Sequence, residues 1–364
     1  MLNFENREIF LSLIRLGIGN NSSGYWGGRK ESGQIDWKAL ETLAVQHGLS
    51  AVLVDGVERL PEGQRPPKPV LLQWIGETLQ SYEYRYELYR RSIAELAGFY
   101  NEHGIKMMLL KGLACGMNWP KPEHRPCGDI DIWLFGQQSE ADEIIAKEKS
   151  IKVDKSEHHH TVFYWRDFMV ENHYDFINVH HHKSNAEFER ILKNLGQDDR
   201  YSVELNGEKM YLPSPDLHAL FLLKHLMMHF AAEGITLRQL VDWGLFVNAH
   251  GKDVDWKMVL DVLERFGMKD MFNILNAICV EDIGFDAKIF PQVQFTPVLK
   301  DKVLNEILSP EFSNQTPHGL LKRIPFKLRR WKGNAWKHEL CYKESLWSAF
   351  WTGIWNHLLK PASI

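Results

Sequence analysis

Cysteine is scarce in this chain: four in 364 residues, Cys115, Cys127, Cys279 and Cys341, with no Cys-x-x-Cys pair among them. Such spacing supports neither a zinc ribbon nor a disulfide framework, so reduced, structural thiols are expected. No apolar run approaches the roughly 18 residues of a membrane span. Met1-Leu2-Asn3-Phe4-Glu5 lacks the basic region and apolar stretch of a secretory signal. A soluble cytoplasmic protein is the expectation. An excess of one charge is also missing: 43 Lys and Arg face 47 Asp and Glu, a formal net charge of -4. No global attraction to nucleic acid follows from that balance. There is no internal repeat and no low-complexity segment. With 44% hydrophobic residues, the chain can bury a substantial core in closely packed units.

What is present is a pair of acids where acids are disfavoured. Leu109-Leu110-Lys111-Gly112-Leu113-Ala114 is followed, after a short loop, by Arg125-Pro126-Cys127-Gly128-Asp129-Ile130-Asp131-Ile132-Trp133-Leu134. Asp is unfavourable in strands and costly near a core. Strand residues i and i+2 share a face and lie roughly 6.6 Å apart, so Asp129 and Asp131 can converge on divalent metal while Ile130 and Ile132 face the core. Transfer of a nucleotidyl or phosphoryl group needs such a pair, because hard Mg²⁺ takes carboxylate and phosphate oxygens. Upstream, the strand Met107 to Leu110 breaks at Gly112 into a short helical stretch. Its free N–H groups and dipole suit an anion, and Lys111 adds positive charge.

Along the chain, residues 1–104 read as a helical lobe. Asp36 caps a helix to His47, and a Pro-rich bend from Pro61 to Pro69 precedes a long amphipathic stretch from Val70 to His103. A mixed core occupies 105–213, with strands near 106–110, 129–135, 161–165 and 174–181 and a helix from Ser139 to Lys149. Asn206-Gly207 between Tyr201 to Leu205 and Glu208 to Leu212 is a strong hairpin signal, since a type I′ turn needs positive φ at both central residues. Residues 214–364 form a second helical lobe ending in a basic, Trp-rich tail.

The order of apolar strand, Lys-Gly, short helix and Arg-x-x-Gly-Asp-x-Asp resembles the polymerase-beta-type nucleotidyltransferase superfamily. More narrowly, it resembles a bacterial group of uncharacterised nucleotidyltransferase family proteins, over roughly residues 35 to 250. The resemblance implies that Gly112 contacts a nucleoside triphosphate, that Asp129 and Asp131 hold Mg²⁺, and that Lys111 and Arg125 contact phosphate. It also implies a third carboxylate on a neighbouring strand, acting as base. The segment Tyr174-Asp175-Phe176-Ile177-Asn178-Val179-His180-His181 is the best match, and it puts Asn178 where the acid is expected. An amide can ligate a metal but cannot accept a proton at neutral pH. Asp175 cannot share a strand face with Asn178 without a bulge, whereas His180 does. Three readings stay open: His180 as base, Asp175 recruited by a bulge, or weakened chemistry.

In the second lobe, His225 and His229 stand one helical turn apart on one face, without an evident third zinc ligand. The order His, helix, Leu-Arg-x-Leu-x-Asp resembles the same narrower family, where a helical lobe closes over nucleotide or acceptor. His225, His229, Arg238 and Asp242 are then substrate-side residues, and because Arg238 and Asp242 are also i and i+4, an ordinary surface ion pair is the competing reading. The triplets His158-His159-His160 and His180-His181-His182 read as solvated edge residues, His180 excepted. Lys322, Arg323, Lys327, Arg329, Arg330 and Lys332 with Trp331 and Trp336 could hold RNA. Trp347, Trp351 and Trp355 fall at helical spacing, however, which favours packing in the core or on a partner.

The expected fold is α+β, a nucleotidyltransferase-type mixed sheet flanked by helices. The expected activity is Mg²⁺-dependent transfer of a nucleoside monophosphate from a nucleoside triphosphate to an acceptor hydroxyl, with a small-molecule acceptor favoured over nucleic acid. The alternatives are a nucleotide-binding scaffold that retained the fold and a toxin-like enzyme acting on tRNA or protein.

Overall fold

The computed structural model describes residues 4–20, 35–157, 159–180, 182–291, 294–312, 320–348 and 351. Trp355, His158 and His181 lie outside them. Helices α1 (Phe4–Gly17), α2 (Trp37–His47) and α3 (Ser50–Glu58) open the chain. Asp36 is the N-cap of α2, its carboxylate accepting from the Ala39 N–H at 3.0 Å, and Gly48 ends the helix at φ +65°. Cap and stop satisfy end groups that would otherwise be orphaned. Helices α4 (Lys68–Thr78) and α5 (Tyr84–Glu102) run on through a π-helical turn at Leu79–Glu83.

Six strands form one mixed sheet: β1 (Met108–Leu109), β2 (Ile130–Trp133), β3 (His160–Trp165), β4 (Phe168–His173), β5 (Ser202–Leu205) and β6 (Glu208–Tyr211). Their order is β3-β4-β2-β1-β6-β5. Strand β2 pairs antiparallel with β1 and parallel with β4, and β1 pairs parallel with β6. The one-turn helix α6 (Leu113–Gly116) follows β1, and α7 (Gln138–Lys149) follows β2. At the β5–β6 hairpin Asn206 and Gly207 take φ +53° and +85°, as the Asn-Gly signal requires.

One strand lies elsewhere than the sequence reading placed it. The apolar alternation of 174–181 predicts a strand there, yet β4 ends at His173. The Tyr174 and Asp175 N–H groups both turn back to the His159 carbonyl, and those of Phe176 and Ile177 donate to the Glu189 carboxylate. With those donors satisfied locally, the backbone leaves the ladder. Strand β4 itself is masked by composition, since it carries Glu171, Asn172 and His173. Each has a specific partner: Asn172 donates to buried Asp142 at 2.8 Å, while Glu171 and His173 face the opposite side of the sheet.

That alternation divides the molecule. Met107, Leu109, Ile130, Ile132, Phe163, Val170 and Met210 pack on α5 and α7. Met108, Leu110 and Trp133 join a larger core that runs without interruption through α1 to α3 and the later helices. These are α8 (Asn185–Gly196), α9 (Pro215–Ala232), α10 (Leu237–His250), α11 (Trp256–Arg265), α12 (Lys269–Glu281), α13 (Pro297–Leu308) and α15 (Ala335–Cys341), the last preceded in the chain by α14 (Leu320–Gly333). Early and late helices are tied directly. Arg15 on α1 donates to the carbonyls of Asp282 (2.7 Å) and Glu281 (2.9 Å) at the end of α12, a charged cap at the negative end of a helix. In the tail the expected core packing does not hold for two tryptophans. Trp347 meets the Trp331 ring at 5.2 Å, yet both Trp347 and Trp351 stay exposed.

Candidate active site

Register decides which side chains meet at the centre of the sheet. Asp131 on β2 lies opposite Glu171 on β4, and His173, two residues on, shares their face. The His173 Nε2 stands 3.2 Å from Asp131 Oδ1 and 3.5 Å from Glu171 Oε2. Lys111, just past β1, places its Nζ 2.7 Å from the same Asp131 oxygen. Asp131 is 6% exposed, and a carboxylate so buried needs partners to remain charged. Burial pushes its pKa up, but the Lys111 ammonium and the His173 imidazole outweigh burial and hold it well below the usual carboxylate range. For His173 and Lys111 burial acts downward, and Asp131 more than offsets it, so both lie above their ordinary values. Asp129 sits at the exposed mouth one step before β2. Its pKa is raised by partial desolvation and by the charges of Asp131 and Glu171. Asp131 and Glu171 thus meet with an imidazole between them and an ammonium on Asp131, and Asp129 adds a third carboxylate charge at the mouth.

The turn that carries Lys111 depends on glycine. Gly112 has φ +53° and ψ -111°, a conformation L side chains rarely adopt. A Cβ there would stand 2.1 Å from the Tyr89 hydroxyl oxygen, and that hydroxyl donates to the Asp129 carbonyl at 2.8 Å. Gly112 therefore lets α5 grip the start of β2. The anion cradle expected from the following helix is reduced. Helix α6 is a single turn whose Ala114 and Gly116 N–H groups already donate to the Lys111 and Gly112 carbonyls, and the dipole of so short a helix is small.

Around this centre the expected residues sort into two groups. Arg125 is committed: its Nε and a terminal nitrogen donate to the two Asp242 oxygens at 2.8 and 3.0 Å, and Trp119 Nε1 donates to the same carboxylate at 2.8 Å. Arg125, expected on phosphate, and Asp242, expected on the substrate side, instead form a buried bidentate bridge between the loop before β2 and helix α10, the strong form of this contact, and the competing Arg238–Asp242 surface pair does not form. Arg238 forms no hydrogen bond or ion pair with the described residues. Burial and the nearby Arg125 charge lower its pKa. It lines a small cavity of about 60 Å³ together with Lys111, Arg125, His225, Gln239 and Asp242. His225 and His229 on α9 stack edge to face, ring centres 4.4 Å apart. Burial and then Lys111 lower both pKa values. The Arg238 guanidinium, beside the Lys111 ammonium and His225 in that cavity, suits a phosphate-sized anion.

Asn178 and His180 do not lie on the sheet. They occupy the turn after β4, where the Asn178 side chain accepts from the His180 N–H at 2.9 Å and Asn185 donates to the Asn178 carbonyl. Asp175 is bonded to Lys193. The position opposite Asp131 belongs to Glu171, which the sequence reading missed along with His173. A signal existed: Glu171-x-His173 repeats the i, i+2 spacing of Asp129-x-Asp131. It was hidden because the β3–β4 hairpin turns at Arg166-Asp167, with Arg166 at φ +55°, and lacks the glycine or asparagine that usually marks such turns. The histidine triplets also differ from expectation. His160 is not a solvated edge residue, its side chain being 10% exposed against Glu171, and His182 stacks on Tyr342 at 3.8 Å.

The crystal structure of an antigenic nucleotidyltransferase-like protein from Paracoccidioides brasiliensis is similar at 15% identity with a TM-score of 0.32, covering 44% of this chain and 75% of the other. No curated protein matches. A family described as uncharacterised nucleotidyltransferase matches residues 33–281, more than half of the chain and all three acids. The chain belongs to that family of uncharacterised nucleotidyltransferases.

Proposed function

We propose that the protein transfers a nucleoside monophosphate from a nucleoside triphosphate to the hydroxyl of a small-molecule acceptor, with Mg²⁺ as cofactor and pyrophosphate as leaving group. The observation that carries this reading is the Asp131–Glu171 register, with Asp129 at its open end. Asp129, Asp131 and Glu171 offer the hard oxygen donors that Mg²⁺ prefers. When bound there, the ion would neutralise triphosphate oxygens and activate the attacking oxygen. Lys111 and Arg238 bind and orient the triphosphate, and Gly112 lets the chain turn close beneath it. Arg125 acts through Asp242, fixing the loop before β2 to α10. Glu171 takes the place in the argument first given to Asn178 and His180, as the carboxylate available to the acceptor's proton. A small acceptor is favoured because no basic run borders these strands.

With that assignment the reason for a scaffold reading, an amide in place of the third acid, no longer applies. The test is pyrophosphate release from nucleoside triphosphates with Mg²⁺ across a panel of hydroxyl acceptors. Release is expected from the parent and should fall at least ~10²-fold in Asp131→Asn and Glu171→Gln, the scale of a positioned acid or base; the amides keep hydrogen-bonding side chains beside Lys111 and His173, and a nucleotide-free melting curve of each variant checks that it is folded. Nucleotide binding without any release across the panel would return the scaffold reading.

A further inference from the structure

Beside the carboxylate pair, the β3–β4 pairing gathers imidazoles the proposed reaction does not use. His160, first residue of β3, lies in register opposite His173 at the end of β4. His159 precedes it, its backbone pinned because its carbonyl accepts from both Tyr174 (2.8 Å) and Asp175 (3.0 Å). The His159 Nε2 and His160 Nδ1 face one another at 3.1 Å. One ring nitrogen from each of His159, His160 and His173 lies within 4.8 Å of the other two.

We propose that His159, His160 and His173 form a site for a borderline divalent transition metal, with Zn²⁺ the best fit. Two nitrogens bound to one tetrahedral zinc at ~2.0–2.1 Å stand roughly 3.4 Å apart. The His159–His160 pair is already near that spacing, and His173, whose ring nitrogen lies within 4.8 Å of both, closes on it by a side-chain shift of at most about 1.4 Å. Nitrogen donors suit zinc, copper, nickel and cobalt, whereas Mg²⁺ and Ca²⁺ prefer oxygen, so this site and the carboxylate site select different ions. His160 also has a carboxylate on its far side: with Nδ1 on the ion, Nε2 faces Glu171 Oε1 at 3.9 Å, a gap that must close to hydrogen-bond distance for Glu171 to support it. A carboxylate behind a ligating imidazole is the usual way its tautomer and orientation are fixed. Binding through either nitrogen of His173 exchanges a present contact for the ion, with Asp131 and Glu171 at Nε2 or the Asp175 carbonyl, 3.2 Å away, at Nδ1. Three protein nitrogens leave a fourth position open to water or an anion.

The site does not depend on nucleotidyl transfer and is tested without it. The full-length, chelator-treated protein is titrated with Co²⁺, whose visible absorption reports four-coordinate nitrogen ligation, and then with Zn²⁺ in competition. One equivalent should bind. Loss of a ligand in His160→Ala or His159→Gln should weaken binding by more than the ~10–100-fold that losing a supporting partner costs. Both variants should keep the metal-free melting curve and Mg²⁺-dependent nucleotide binding of the parent; His159→Gln, outside the strand, guards against a folding defect in His160→Ala. Equal Zn²⁺ affinity in the parent and both variants would overturn the proposal. So would binding that survives both histidine changes and disappears in Asp131→Asn, because the ion would then lie between the carboxylates.

Discussion

Replacing Gly112 by alanine asks two separable costs of the site. The first is conformational. At φ +53° and ψ -111° a residue with a Cβ is strained by ~1–3 kcal/mol. The second is steric. The new methyl would stand 2.1 Å from the Tyr89 hydroxyl oxygen, in a buried setting where overpacking costs about 1–3 kcal/mol. Together Gly112→Ala should cost ~2–6 kcal/mol. Tyr89→Phe removes the clashing oxygen and leaves Cζ at 3.3 Å, tight but tolerable. By itself it loses one hydrogen bond to the Asp129 carbonyl, worth about 0.5–1.5 kcal/mol. The double variant should therefore be less destabilised than the sum of the singles by ~1–3 kcal/mol, well beyond the roughly 0.3–0.5 kcal/mol scatter of independent sites. Urea titrations of the four proteins, compared by midpoint at a common slope, measure the cycle. Strict additivity would refute the account, because it would mean that the Gly112 backbone and the Tyr89 hydroxyl do not compete for the same space.

Two other outcomes follow from the placement of polar groups. Asn178→Asp should leave turnover unchanged within a few-fold, since Asn178 closes a turn on the His180 N–H instead of facing Asp131; a large gain in pyrophosphate release would restore Asn178 to the catalytic row. His124 donates to Asp55 and Glu83, with ring nitrogens 2.6 and 3.2 Å from their oxygens. Burial lowers its pKa and Asp55 raises it, and the net direction is upward. A raised histidine contributes stability that is complete below its unfolded value of about 6.5 and is lost as pH rises through the folded value. The penalty of His124→Gln in denaturant titrations should be largest near roughly pH 6 and shrink toward roughly pH 9, and a penalty that grows with pH would invert the assignment.

The fold and half of the site were legible for different reasons. Local chemistry carried the Asp36 cap, the Asn206-Gly207 hairpin, and the break at Gly112, because each is a backbone demand met by a residue within a few positions. The Asp129-x-Asp131 pair stood out because acids inside an apolar strand have few explanations. Glu171 and His173 were missed because β4 is polar on both faces: Asn172 serves the buried Asp142 on one side while its neighbours serve the site on the other. No apolar alternation survives that double duty, so the period-2 signal moved to 174–181, where the backbone turns away. The Arg125–Asp242 bridge was illegible for another reason. Spacing shows that Arg238 and Asp242 are one helical turn apart, but not that an arginine 117 positions away claims both oxygens.

The tie between the first and last helices bears on how much chain is needed to fold. The family-matched segment, residues 33–281, omits α1, α13, α14 and α15. Yet Ile9, Phe10, Leu13 and Ile14 of α1 are each at most 1% exposed, and their burial is worth on the order of 6–12 kcal/mol. That is comparable with the whole net stability of an ordinary domain. The Arg15 side chain that closes the end of α12 would go with them. The unit recognisable by descent is therefore shorter than the unit that can stand in water. A fragment cut at the family boundaries should expose the apolar face that α1 covers on α2 and α3 and aggregate, even though it keeps every residue of the candidate site.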